Sequence, residues 1–142
     1  MIIGDTILAY MAGIVDGEGS IIIYRRKSKK YKPKVGQMKV VVSNTDRTLM
    51  DFLQLYFGGS IATDRHREKP CYLWTVASKK ALCFLEAIEP FIRVKKLQAQ
   101  VAIEFQHKRL GQGCRPTEEG VAVAEAQRII MQGLNKKGGV RL

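Results

Sequence analysis

The stretch Leu8-Ala9-Tyr10-Met11-Ala12-Gly13-Ile14-Val15-Asp16-Gly17-Glu18-Gly19-Ser20 decides how this chain is read. Its first part is apolar and unbroken, which predicts a helix over 6–16 with Asp5 or Thr6 as N-cap. Ala9, Ala12 and Gly13 share one face by i, i+3, i+4 geometry, and such small residues let another helix backbone approach closely. The same pattern also suits a helix buried within its own domain. The helix then ends abruptly in Asp-Gly-Glu-Gly. Glycines there let the backbone turn sharply and come near a ligand. A carboxylate at such a turn suits a hard cation such as Mg²⁺. Phosphodiester hydrolysis uses ions of this kind to stabilise attacking and leaving oxygens.

Next comes Ile21-Ile22-Ile23-Tyr24, which has strong strand character. Between Arg25 and Lys39 lie eight basic residues: Arg25, Arg26, Lys27, Lys29, Lys30, Lys32, Lys34 and Lys39. No acid occurs between Glu18 and Asp46, so this stretch carries eight of the eleven net positive charges. Pro33 and Gly36 interrupt the run, and Gln37–Val42 alternates like a strand. Two strands joined by a basic loop make a ribbon that fits the DNA major groove and meets phosphates at its tip.

The remainder predicts an amphipathic helix over 46–57 stopped by Gly58-Gly59, and a second hairpin of strands 60–67 and 71–77. A helix capped by Ser78 runs to about Ile88. A longer helix after Pro90 ends near Arg109, and a last one capped by Thr117 reaches about Leu134. The expected fold class is α+β, in αββαββα order with further helices. Its four-stranded antiparallel sheet has helices on one face. Residues 1–135 read as one domain and 136–142 as a flexible basic tail.

Composition narrows the partners. The chain has 142 residues, 24 Lys plus Arg, 13 Asp plus Glu, and a net charge of +11, which points first to nucleic acid and second to an anionic membrane. No helix joins a basic face to a large apolar one, so membrane association is disfavoured. The three cysteines, Cys71, Cys83 and Cys114, form no CxxC pair, and His66 and His107 fall at no zinc-ligand spacing. A reducing compartment is the simpler reading. The apolar run before Asp16 makes neither a signal peptide nor a membrane span. That fits an intracellular protein of a prokaryote, phage or organelle.

Met11–Gly19 resembles the LAGLIDADG motif of homing endonucleases, with Met in place of the leading Leu. The αββαββα order that follows is also that family's. The resemblance implies cleavage of long, specific double-stranded DNA sites, with two motif helices packed side by side and each delivering one acid. One motif copy implies a homodimer on a palindromic or pseudo-palindromic site, with Ala9, Ala12, Gly13 and Asp16 at the interface. By position, Glu18 becomes the metal-binding acid and the Gly17 carbonyl a second ligand. Two or three Mg²⁺ ions would then sit at the dimer axis. Asp16 takes helix termination and hydrogen bonding. Lys95 matches the basic residue lining the family's pocket, with Lys96 its nearest rival, and would stabilise phosphorane charge or help organise the attacking water. Asp46 falls where the family has a polar pocket residue, and equally suits the N-cap of its helix.

Strand alternation assigns the DNA-reading face. Ile22, Tyr24, Arg26 and Ser28 should share it with Gln37, Lys39, Val41 and Ser43, extended by Ile61, Thr63, Arg65, Arg67, Leu73 and Thr75. Arg26, Arg65 and Arg67 suit guanine, and Gln37 suits adenine. Lys27, Lys29, Lys30, Lys32 and Lys34 suit phosphate. A second function compatible with these residues is an RNA maturase acting on intron RNA, or a catalytically inactive DNA-binding protein of the same fold.

Overall fold

The computed structural model describes residues 2–26, 34–66, 68–112 and 117–136. The elements run α1 (Asp5–Glu18), β1 (Gly19–Arg26), β2 (Lys34–Asn44), α2 (Arg47–Phe57), β3 (Ser60–Asp64), β4 (Cys71–Ala77), α3 (Ser78–Ile88), a 3₁₀ turn (Glu89–Phe91), α4 (Lys96–Gln112) and α5 (Glu118–Asn135). The four strands form one antiparallel sheet in the order β1-β2-β4-β3. This is the expected α+β arrangement. Apart from Lys136, the tail expected over 136–142 lies outside the described residues.

One face of the sheet carries the core. Ile21, Ile23, Met38, Val40, Val42, Trp74 and Val76 are buried there, against Met11 and Val15 of α1, Phe84 and Leu85 of α3, and Phe105 of α4. Trp74 and Phe84 meet edge to face at 5.0 Å between ring centroids, a favourable aromatic geometry. The indole N–H of Trp74 donates to the Gly58 carbonyl at 2.7 Å, so the largest core side chain leaves no polar atom stranded. Gly59 is required beside it. Its φ is +90°, and a Cβ there would lie 2.6 Å from the Thr75 carbonyl oxygen.

The helix boundaries differ from expectation in three places. The motif helix does not turn sharply at Asp16-Gly17 but continues to Glu18. Gly4 is its N-cap, without a side-chain bond, so neither Asp5 nor Thr6 caps it. Ser78 is the first residue of α3, with φ +53°, and makes no cap bond. The expected caps hold elsewhere. The Asp46 carboxylate accepts the Thr48 amide at 2.9 Å, and the Thr117 hydroxyl accepts the Gly120 amide at 3.0 Å.

Helix α5 packs against β1 and is tied to it. The Glu125 carboxylate accepts from Arg128 on its own helix at 2.6 Å and from Arg25 of β1 at 2.5 Å. These two guanidinium partners, Arg128 foremost, hold the Glu125 carboxyl down at about 2. Its contribution to stability is therefore complete above the ordinary value of 4.5 and lost as pH falls toward 2. Glu125→Gln should lower the melting temperature at pH 7 by about 2 °C, because the pair lies near the surface. The difference from the parent should shrink in melts recorded from pH 4.5 downward.

Candidate functional site

The last residue of α1 is Glu18, and β1 begins at Gly19 with no intervening loop. This junction is tight because Gly19 folds back on Val15. Its amide donates to the Val15 carbonyl, and a Cβ on Gly19 would lie 2.9 Å from that same oxygen. The Glu18 side chain is exposed at this end of the helix, where the backbone dipole favours a cation.

Asp16 and Lys95 build the ground beneath it. The Asp16 carboxylate accepts three backbone amides of the turn before α4. Arg93 donates to Oδ2 at 2.9 Å, while Val94 and Lys95 donate to Oδ1 at 3.1 and 3.0 Å. In return Lys95 Nζ donates to the carbonyls of Val15, Asp16 and Gly19, at 2.9, 3.1 and 2.6 Å. Burial lowers the Lys95 pKa, opposed by the nearby charge of Asp16. Lys96 does something else. Its ammonium bonds the Glu89 carbonyl at 2.7 Å and the Glu89 carboxylate at 3.1 Å, bracing the 3₁₀ turn.

Asp46 is the N-cap of α2. Its Oδ1 is occupied by Thr48, whose hydroxyl and amide hold the carboxyl below its usual range. Of the two roles open to it in the sequence, the structure displays the cap.

The outward face of α1 corrects one interface expectation. Ala12 has no exposed surface and packs in the subunit's own core, as do Met11 and Val15. Ala9, Gly13 and Gly17 are exposed at i, i+4 and i+8, and no atom lies within 4 Å of a Cβ built on Gly13 or Gly17. The small-residue stripe is therefore Ala9-Gly13-Gly17. Tyr10, which is 59% exposed, flanks it.

The sheet face opposite the core is open. Register places Ser20, Val41, Thr75 and Ser60 on one rung across all four strands. Ile22 pairs with Lys39, Tyr24 with Gln37, and Ser43 with Leu73, which pairs with Ala62. The Tyr24 hydroxyl donates to Gln37 Oε1, and Lys39 Nζ stands 4.9 Å from the centre of the Tyr24 ring. These three side chains form a connected polar group on the open face.

Strand β3 departs from the expected phase. Ile61 pairs with Trp74 and Thr63 with Tyr72, which puts both on the helix side of the sheet rather than the open side. Ile61 packs against the core. The open side of β3 carries Ser60 and Ala62, which alternation had omitted. The available signal was Ile61 itself, whose apolar side chain belongs with the core of a half-buried strand. β3 also ends at Asp64, where the Asp64 carboxylate accepts the His66 amide at 3.0 Å and turns the chain. Arg65 is thus an exposed loop residue and not a strand residue. Ser28, Lys29, Lys30, Lys32 and Arg67 lie outside the described residues. Arg26 and Lys34 are described only as paired strand backbone.

A hard divalent ion is compatible with these donors. Lys95 takes the carbonyls of Val15, Asp16 and Gly19 but not that of Gly17, the residue before the exposed Glu18. The Gly17 carbonyl and the Glu18 carboxylate are both hard oxygen donors. Among the described residues there is no group of three or more His, Cys, Asp or Glu that could hold a metal ion.

A family model described as LAGLIDADG endonuclease matches residues 11–108. The chain belongs to that family. It is similar to DNA endonuclease I-CreI of Chlamydomonas reinhardtii, with 31% identity over 102 residues that make up 69% of this chain and 61% of that protein. The match thus spans less than two thirds of that relative. The homing endonuclease I-CvuI, solved with its target in the presence of calcium, superposes with a TM-score of 0.75 at 20% identity, covering 94% of this chain and 85% of that one. The archaeal intron-encoded homing endonuclease I-Vdi141I, solved with DNA, gives 0.77 at 17% identity, covering 94% and 87%. At these identities the likeness shows the fold. No described helix is long and apolar enough to cross a membrane.

Asp16 is the group whose loss should be felt first. Asp16→Ala strips three amides of their acceptor and should destabilise the fold by about 2 kcal/mol in urea denaturation.

Proposed function

We propose that this chain is a homodimeric, site-specific DNA endonuclease that makes a double-strand break in a long pseudo-palindromic site by divalent-metal-dependent phosphodiester hydrolysis. The observation that carries the reading is the continuity of Glu18 with the sheet. An exposed acid ends a helix whose outer stripe carries only small residues, and the next residue opens a strand of the sheet. Two copies joined along Ala9-Gly13-Gly17 bring two acids together and align two sheets as one saddle on double-stranded DNA.

Glu18 and the Gly17 carbonyl of each copy would hold Mg²⁺, two or three ions across the axis. When bound, the ions supply charge stabilisation at the attacking and leaving oxygens. The chain's own residues do the rest. Asp16 and Lys95 hold the end of α1, while Tyr24, Gln37 and Lys39 present polar groups to base edges. The basic loop meets phosphates and sets affinity more than sequence preference. Residues 1–135 act as the single endonuclease domain.

The test is cleavage of a large randomised palindromic DNA library in Mg²⁺, with cut ends read by sequencing. A two-fold symmetric consensus is expected. Glu18→Gln should lower cleavage by at least about 100-fold yet keep binding to the selected site in Ca²⁺. A Glu18→Gln protein that cuts at the parent rate would remove the acid assignment. Binding enrichment without cut ends would instead favour the maturase or inactive-binder alternative. Gly13→Leu projects into open space in one subunit, so it should stay folded in circular dichroism and sediment as a monomer. A dimer of unchanged affinity would rule out pairing along this stripe.

A further inference from the structure

We propose that Tyr24 is a positioning residue for sequence reading. Its hydroxyl turns the Gln37 carboxamide so that nitrogen, not oxygen, meets the base edge, and the base read is guanine rather than the adenine that glutamine by itself suits. The inference rests on the reading of the open face as a surface for double-stranded DNA.

Tyr24 and Gln37 stand directly opposite one another on β1 and β2. Ile23 and Met38, their neighbours in sequence, are buried in the core, so alternation puts this pair on the open face. It is the last regular rung before the register shift between Tyr24 and Arg25. The Tyr24 hydroxyl donates to Gln37 Oε1, and both side chains are half-buried. On the next rung Lys39 pairs with Ile22, and its Nζ stands 4.9 Å from the centre of the Tyr24 ring. One aromatic side chain thus holds a carboxamide by its hydroxyl and an ammonium by its ring.

A phenol donates more readily than it accepts, because its oxygen shares a lone pair with the ring. It therefore draws the oxygen of a carboxamide and not the nitrogen. With Oε1 turned across the rung to β1, Nε2 is the end left for a base. Adenine shows one acceptor, N7, and one donor, N6, in the major groove. A bidentate contact to it needs amide oxygen and nitrogen abreast toward the base. Oε1 keeps a second lone pair, but an oxygen drawn sideways to the neighbouring strand does not stand abreast of Nε2. Guanine shows two acceptors, N7 and O6, and takes donors alone. Nε2 carries two N–H donors, and the Lys39 ammonium beside it has three and no acceptor. The group turns donors to the DNA and keeps its acceptor within the sheet face.

The test uses the whole chain and a library of double-stranded DNA randomised in both half-sites. Bound duplexes are selected in Ca²⁺ and sequenced, so the readout requires no cleavage. The parent should favour guanine over adenine about tenfold at one base pair of each half-site. Gln37→Ala should erase that preference and so identify the pair. Tyr24→Phe removes only the hydroxyl. It should lower the guanine-to-adenine ratio at the same pair about tenfold and leave every other pair within about twofold. The Tyr24→Phe/Gln37→Ala double variant should match Gln37→Ala at this pair, as members of one contact do. Melting temperatures of Tyr24→Phe and the parent should agree within about 2 °C, which separates the effect from a loss of fold.

Three results would overturn the proposal: a Tyr24→Phe change at a pair that Gln37→Ala leaves alone, a guanine preference that survives loss of the hydroxyl, or adenine selected by the parent at the Gln37 pair. The first would make Tyr24 a reader in its own right. A library returned without any consensus overturns the DNA reading of the open face itself, an outcome distinct from all three.

Discussion

Asp16 and Lys95 trade hydrogen bonds in opposite directions across the join between α1 and the turn that precedes α4. A helix end normally leaves carbonyls without partners, and a helix start leaves amides without partners. Here each segment supplies what the other lacks, although 76 to 80 residues of chain separate them. The contact fixes where α1 stops. Because Glu18 is followed at once by β1, it also fixes where the sheet begins. The position of the acid relative to the open sheet face is therefore set by a half-buried polar contact, with a glycine too close to Val15 to be replaced.

Much of this was legible in the residues. The motif stretch foretold a helix ending in an acid, and the alternation of Gln37–Val42 foretold which face of β2 is buried. Asp46 and Thr117 fell at caps because short polar side chains before apolar periodicity have few better uses. The errors have physical causes as well. Ala12 was grouped with Ala9 and Gly13 by size, but size does not say which way a small residue faces. Only the neighbours of α1 show that Ala12 looks into the core and Gly17 outward. The phase of β3 is hard to read because a five-residue strand holds one strongly apolar side chain, and the basic residues that follow continue the polar–apolar alternation beyond its end at Asp64. The bonds of Lys95 could not be read at all, since they depend on carbonyls brought near by tertiary packing.

The two working surfaces also differ in how they are supported. The open face rests on a filled core, with Trp74, Phe84 and Met38 directly behind it. The outer stripe of α1 is defined by atoms that are missing. A groove made by missing side chains is shaped by any residue placed in it, whereas a face backed by a packed core tolerates exchange of what it displays. Surface residues of the sheet are thus the freer positions of the molecule.

The pairing of β1 with β2 changes register between Tyr24 and Arg25, so that Gly36 has no partner across the strand. A bulge of this kind interrupts the two-residue repeat that otherwise links every side chain along a ribbon. Residues on the far side of it are uncoupled from the phase of those on the near side. A gain or loss of one residue in the basic loop would then leave Ile22, Tyr24, Gln37 and Lys39 facing as they do now. The inner rungs, Ile22 with Lys39 and Tyr24 with Gln37, keep their register with the core on the near side of the bulge.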